Sequence, residues 1–415
     1  MSKQIGIARL SALMFFQLFV FGSFGPILSM YLQHSLHFSS REAGFIMALS
    51  VVSSIVAPLL SVYVVDRLIQ AKWLFILCHG ILAASAAGLF MARSFGTFLV
   101  VFLVNALCTG PSMGMLNAIA FQRLHDLEGD ARNYGSVRVW GTVGWMGAGY
   151  LVSGLWAILP AVFPGRAPAG FQAVAFIIAS AGSILCIVLA LGLPEGARAA
   201  DTKRELMPRA ALDVIKRKGV AVLAVVYLIS SIIDKLYSFG AAPYLSRSGF
   251  NEAWIPSILT LGQATEVFML FGLGALLSRF SYKPVLLLGT LSQAARFFLL
   301  WTGIPWLGLL GISLNGLVFA CLYSAILMYI DYRSDSRSRQ ALHQLVQLFL
   351  GGTSTLLGNL LAGRLGQLVR TGGSTGYRGF WLYSLAGALA SALLVWLFFS
   401  EENKKASLNA RTGIQ

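Results

Sequence analysis

Apolar blocks of 20 or more residues recur along nearly the whole chain, and this recurrence narrows the fold more than any other feature. About 20 helical residues are needed to cross roughly 30 Å of hydrocarbon. In lipid every backbone N–H and C=O must find a partner within the protein, so such blocks must be helices. Only 11% of the 415 residues are charged, against about a quarter in soluble domains. The chain therefore reads as an all-α polytopic membrane protein.

In order, the blocks predict spans near 8–32, 42–66, 72–92, 96–121, 135–158 and 170–193, then 219–245, 252–278, 284–303, 306–330, 340–366 and 379–400. These make twelve transmembrane helices. The expected domains are a six-helix bundle at 1–193, a linker loop at 194–218, a second six-helix bundle at 219–400 and a tail at 401–415. Six plus six around one polar linker is the layout of the major facilitator fold, whose substrate sites lie near the midplane between the halves. The run after Met1 is too long for the apolar core of a cleavable signal and is expected to be the first span. "SSRE", Ser39 to Glu42, has capping-box spacing and is expected to open span 2.

The net charge of +15 raises the question of nucleic acid, but its distribution answers it. Of the 31 Lys and Arg residues, 21 fall in the connections on one side and 7 on the other, with Arg138, Lys235 and Arg296 inside spans. Basic loops mark the cytoplasmic side, so both termini and the linker are expected there. Short basic turns follow span 2 (Asp66, Arg67, Lys72) and, at the matching place in the second half, span 8 (Arg279, Lys283). The repetition points to a transporter, with Asp66, Arg67 and Lys72 as structural or gating residues. Cys78, Cys108, Cys186 and Cys321 lie in apolar blocks and read as small buried hydrophobes, with no metal site.

Polar residues inside spans carry the functional signal. Asp234 and Lys235 together cost about 5–7 kcal/mol to insert. The Leu, Ile, Val and Phe residues between 219 and 245 return only about 4–7 kcal/mol. Both charges must face protein or a wet cavity. Adjacent helical residues point about 100° apart, so the two cannot satisfy each other alone. Both are expected in one charge-balanced network. Glu266 is a third deep charge, with Gln263 three residues before it on the same face. Arg138, Thr142 and Trp145 form one stripe. Asn315, Phe319 and Tyr323 step by four along another. Arg296 sits mid-span, with a structural pairing to an acid as one reading. A buried carboxylate that alternates between pairing and holding a proton, beside aromatic surface and amide groups, suits a proton-coupled carrier of a polar solute. His343 and Gln347 form an i, i+4 pair near the expected cytoplasmic end of span 11.

At these residues the chain resembles the nucleoside:proton symporter family of the major facilitator superfamily, over roughly 10–400. "QLFVFGSFG", "DRLIQAKWLFILCHG", "NALCTGPSMGMLNAIAFQRL", "VRVWGTVGW", "TEVFMLFGLGALLSR" and "ARFFL" carry the likeness. "VRVWGTVGW" is also similar to the lactose-permease-like sugar:proton symporters. The resemblance implies substrate contacts at Arg138, Thr142, Trp145, Gln263, Glu266, Phe319 and Tyr323. Two departures stand out. Lys235 and Ser238 replace a Gln and an Asn of span 7, and Ser324 replaces a buried Asp of span 10.

The expected function is proton-coupled import of nucleosides or a similar ring-bearing solute by alternating access. Substrate contacts are expected at the residues above together with Lys235 and Ser238, proton coupling at Glu266 and Asp234, and a structural role at Arg296. The alternative is a sugar or organic-anion symporter, since Lys235 and Arg138 together suit a carboxylate. No HExxH motif occurs and the five histidines do not cluster with acids, so no enzyme is expected. No cofactor is expected beyond the proton gradient. The expected partners are a small-molecule substrate, protons and the lipid bilayer of the inner membrane, with the chain as a monomer and no nucleic acid.

Overall fold

The computed structural model describes residues 3–60, 69–128, 134–164, 171–194, 217–334, 342, 346–371 and 374–401. Its helices are α1 (Lys3–Phe24), α2 (Ser40–Ala48), α3 (Val51–Leu60), α4 (Ala71–Met91), α5 (Phe95–Glu128), α6 (Tyr134–Val162) and α7 (Val174–Leu191). After the linker come α8 (Lys218–Arg247), α9 (Leu261–Arg279), α10 (Tyr282–Trp301), α11 (Pro305–Ser313), α12 (Ala325–Tyr332), α13 (Gly352–Leu368) and α14 (Tyr377–Phe398). Short turns prolong α1 to Ser35, and others join α11 to α12. With these continuations, ten helices among the described residues are long and apolar enough to cross a membrane. The other two expected spans, 42–66 and 340–366, are seen in part as α2, α3 and α13, because 61–68, 335–341 and 343–345 lie outside the described residues. A two-residue hairpin pairs Arg370 with Thr375 and is the one departure from an all-α chain among the described residues.

Local chemistry explains the element ends. The Ser39 side chain accepts from Glu42 N while Glu42 Oε2 accepts from Ser39 N at 2.8 Å, so the capping box is formed. At the C-terminal end of α7 three cations collect on free carbonyls. Lys72 Nζ donates to Leu193 O at 2.6 Å, while Arg9 and Arg123 donate to the carbonyls of Gly192 and Pro194. This is the favoured end of a helix for positive charge.

Large apolar side chains cover the outside, Phe268, Phe271 and Trp396 among them. Exposed apolar surface on that scale is a lipid-facing belt. Inside, α1 packs against α6 and α7, and α4 against α5 and α7. Likewise α8 packs against α13 and α14, and α10 against α14. The most extensive bridges between residues before and after the linker are α2 on α13, Leu28–Met30 on α8, and α6 on residues 252–259. Glycine makes the first bridge possible. A Cβ at Gly44 would stand 2.6 Å from Asn359 O and 2.7 Å from Gly363 Cα, so the two backbones cross in contact.

Candidate functional site

A cavity of about 440 Å³ opens where residues before the linker face residues after it. Phe21 and Phe24 of α1, Phe102 and Asn105 of α5, and Trp145 of α6 form one wall. Lys235, Tyr237 and Ser238 of α8, Gln263 of α9, and Thr355 and Asn359 of α13 form the other. Trp145 can reach this wall because α1 presents glycine to it. A Cβ at Gly22 would stand 2.8 Å from Trp145 O. Lys235 reaches its place the same way, its Cβ lying 2.7 Å from where a Cβ on Gly358 would stand. The result is a slot with aromatic faces and hydroxyl and amide edges, the composition that holds a polar ring.

Charges are arranged beside and behind this slot. Arg296 of α10 has no exposed side-chain surface; its Nη2 donates to Asp234 Oδ1 at 2.8 Å and its Nη1 to Asn315 Oδ1 at 2.5 Å. Its guanidinium also lies 4.3 Å from the Tyr237 ring centre and 4.7 Å from that of Phe297. Such stacking is worth about 2 kcal/mol when desolvated. The partner of Asp234 is therefore Arg296, sixty-two positions away, and not Lys235. Lys235 forms no ion pair or hydrogen bond among the described residues. Glu266 of α9 is partly buried, and the charges acting on it are Arg138 of α6 and Asp234 of α8.

Of the residues singled out from the sequence, Trp145, Lys235, Ser238 and Gln263 line the cavity. Arg138, Thr142 and Glu266 stand outside its lining, with Arg138 Nη1 beside Gly141. Phe319 and Tyr323 do not line it either. Residues 319–324 are wound as a π-helix, yet the Phe319 and Tyr323 rings remain neighbours with centres 6.3 Å apart. Phe319 is left 40% exposed, and Tyr323 packs edge-on to Tyr227 with centres 5.4 Å apart. Lys72 belongs to the α7 terminus rather than the cavity. Asp66, Arg67, His343 and the Gln347 side chain lie outside the described residues. The sequence reading missed Asn105, Thr355 and Asn359, although a lone Asn within an apolar block is itself a signal.

A second polar cluster sits at the far end of α1, away from its N-terminus. Glu252 Oε1 accepts from Ser246 at 2.6 Å and faces His34 Nδ1 at 3.2 Å. Glu252 Oε2 accepts from Gln172 at 2.7 Å, and Gln172 in turn accepts from Ser35 at 2.7 Å. One carboxylate thus ties two segments before the linker to two segments after it.

The model of the family described as "Nucleoside H+ symporter" matches residues 5–404. The YegT protein of Escherichia coli (strain K12) is 27% identical over 417 residues, covering 96% of this chain and 95% of that protein. The nucleoside permease NupG of the same organism is 23% identical over 429 residues, covering 97% of this chain and 98% of that one. The crystal structure of the nucleoside transporter NupG superposes with a TM-score of 0.82 at 20% identity, over 96% of this chain and all of that one. The two proteins share a fold.

Proposed function

The chain belongs to the nucleoside H+ symporter family of the major facilitator fold, and from that premise we propose that it moves nucleosides and protons together through the central cavity. Family membership over 5–404 carries the reading, and the aromatic, amide-edged slot between the halves supports it. The transporters it resembles favour this over the sugar and organic-anion alternative.

Within this reading the chain has twelve spans in two six-helix bundles, 1–193 and 219–400, joined by a cytoplasmic linker at 194–218. It sits in the inner membrane as a monomer with both termini cytoplasmic, and uses no cofactor. Trp145 stacks on the base, while Ser238 and Gln263 hydrogen-bond the substrate. Glu266 carries the proton, and Arg138 is the cation whose charge bears on it. Asp234 is held by Arg296 and supplies the fixed part of the charge network. Opening of one face exposes Glu266 and the slot to one side, and closing transfers both. Competition of labelled uridine uptake by other nucleosides, a disaccharide and an aromatic acid tests the reading; nucleosides alone should compete.

A further inference from the structure

The central slot carries one charge of one sign. Among its described lining residues Lys235 is the single charged side chain, and no carboxylate joins it. The neighbouring acid, Asp234, already accepts from Arg296 at 2.8 Å. Lys235 therefore presents a compact ammonium, with only donors to offer, to whatever occupies the slot. An ammonium held in a partly desolvated cavity without a counter-charge is costly. A ligand bringing a negative charge removes that cost and gains a charge-assisted hydrogen bond.

A further feature agrees. Gln263 Oε1 and Asn359 Oδ1, both on lining residues, are buried without a hydrogen-bond partner among the described residues. The orientation of Asn359 is fixed because its Nδ2 faces the carbonyls of Thr355 at 2.8 Å and Met47 at 3.4 Å. The slot thus offers a cation together with amide acceptors, matching a solute that bears one negative charge and several O–H or N–H donors.

We propose that the preferred substrates are nucleosides whose base carries a negative charge near neutral pH, and that Lys235 is the residue that selects them. This rests on the nucleoside reading above, narrowing its substrate class. The sugar supplies donors to Gln263 and Asn359, and the ionised base faces Lys235.

The test is uptake into proteoliposomes of the full chain, with matched pairs that differ in charge: orotidine against uridine, and xanthosine against inosine. The wild type should show the higher kcat/KM for the anionic member of each pair. In Lys235→Gln the anionic-to-neutral ratio should fall about tenfold or more, the size expected from one hydrogen bond to a charged group. Lys235→Arg should keep the ratio above one. A wild type that favours the neutral members overturns the proposal, even if Lys235→Gln is too impaired to assay. So does a ratio unmoved by Lys235→Gln. Failure to transport any of the four nucleosides instead overturns the nucleoside reading itself.

Discussion

Arg296 donates a 2.8 Å hydrogen bond to Asp234, and the guanidinium is wholly buried while the carboxylate side chain is 30% exposed. This asymmetry decides what mutation does. Breaking a fully buried pair from one side costs about 3–5 kcal/mol, because the other charge is stranded. Asp234→Asn strands Arg296 with only Asn315 Oδ1 and the Tyr237 and Phe297 faces. It should lower thermal stability in detergent clearly. Arg296→Gln frees a carboxylate that water can reach, and should cost less. The double change should be less damaging than the sum of the two. Strict additivity in a thermal-unfolding cycle would show that the two charges do not depend on each other.

Glu266→Gln should end accumulation against a gradient while leaving exchange of internal for external nucleoside. The amide keeps the size of the side chain and holds no exchangeable charge. An imposed pH gradient should then no longer drive net uptake. Accumulation equal to wild type, with its pH dependence intact, would remove Glu266 from the coupling step.

The Glu252 carboxylate joins Gln172 and His34, before the linker, to Ser246, after it. Glu252→Ala deletes all three contacts at once and leaves their donors unpaired. The halves should part at this end more often. Spin labels at Ser94→Cys and Trp306→Cys, on the same face, should report longer distances in the variant. A distribution identical to the parent would mean that the cluster does not hold this face closed.

Gly44→Val tests the other bridge at that end. A Cβ there meets the Asn359 carbonyl at 2.6 Å, and backbone cannot swing aside as a side chain can. The same label pair should show the closed distance depleted. Transport should fall although no lining residue of the slot has changed. Normal transport would show that α2 and α13 separate without loss of function.

The sequence made the spans legible because lipid imposes length and composition on every helix, and it made the capping box legible because Ser39 and Glu42 are local to each other. It also placed Trp145, Lys235, Ser238 and Gln263, since polar or aromatic groups at mid-span depth have few other uses. It did not give the partner of Asp234. Arg296 is adjacent only after α8 and α10 have packed, and sequence carries no direct signal of that. Nor did it give the Glu252 cluster, whose members come from three distant places in the chain: His34 with Ser35, Gln172, and Ser246 with Glu252. The four-residue step of Phe319 and Tyr323 survives, with ring centres 6.3 Å apart, but Tyr323 packs on Tyr227 rather than lining the slot, and which neighbour a stripe meets is not written in its spacing.

Coupled movement of nucleoside and proton through one slot is tested by labelled uridine uptake by the purified chain in proteoliposomes, with the outside made acidic relative to the lumen. Uridine should accumulate inside above its external concentration, and a protonophore should collapse that excess to equality. Uptake that stops at equality with the gradient in place, or accumulation that survives the protonophore, would contradict the account.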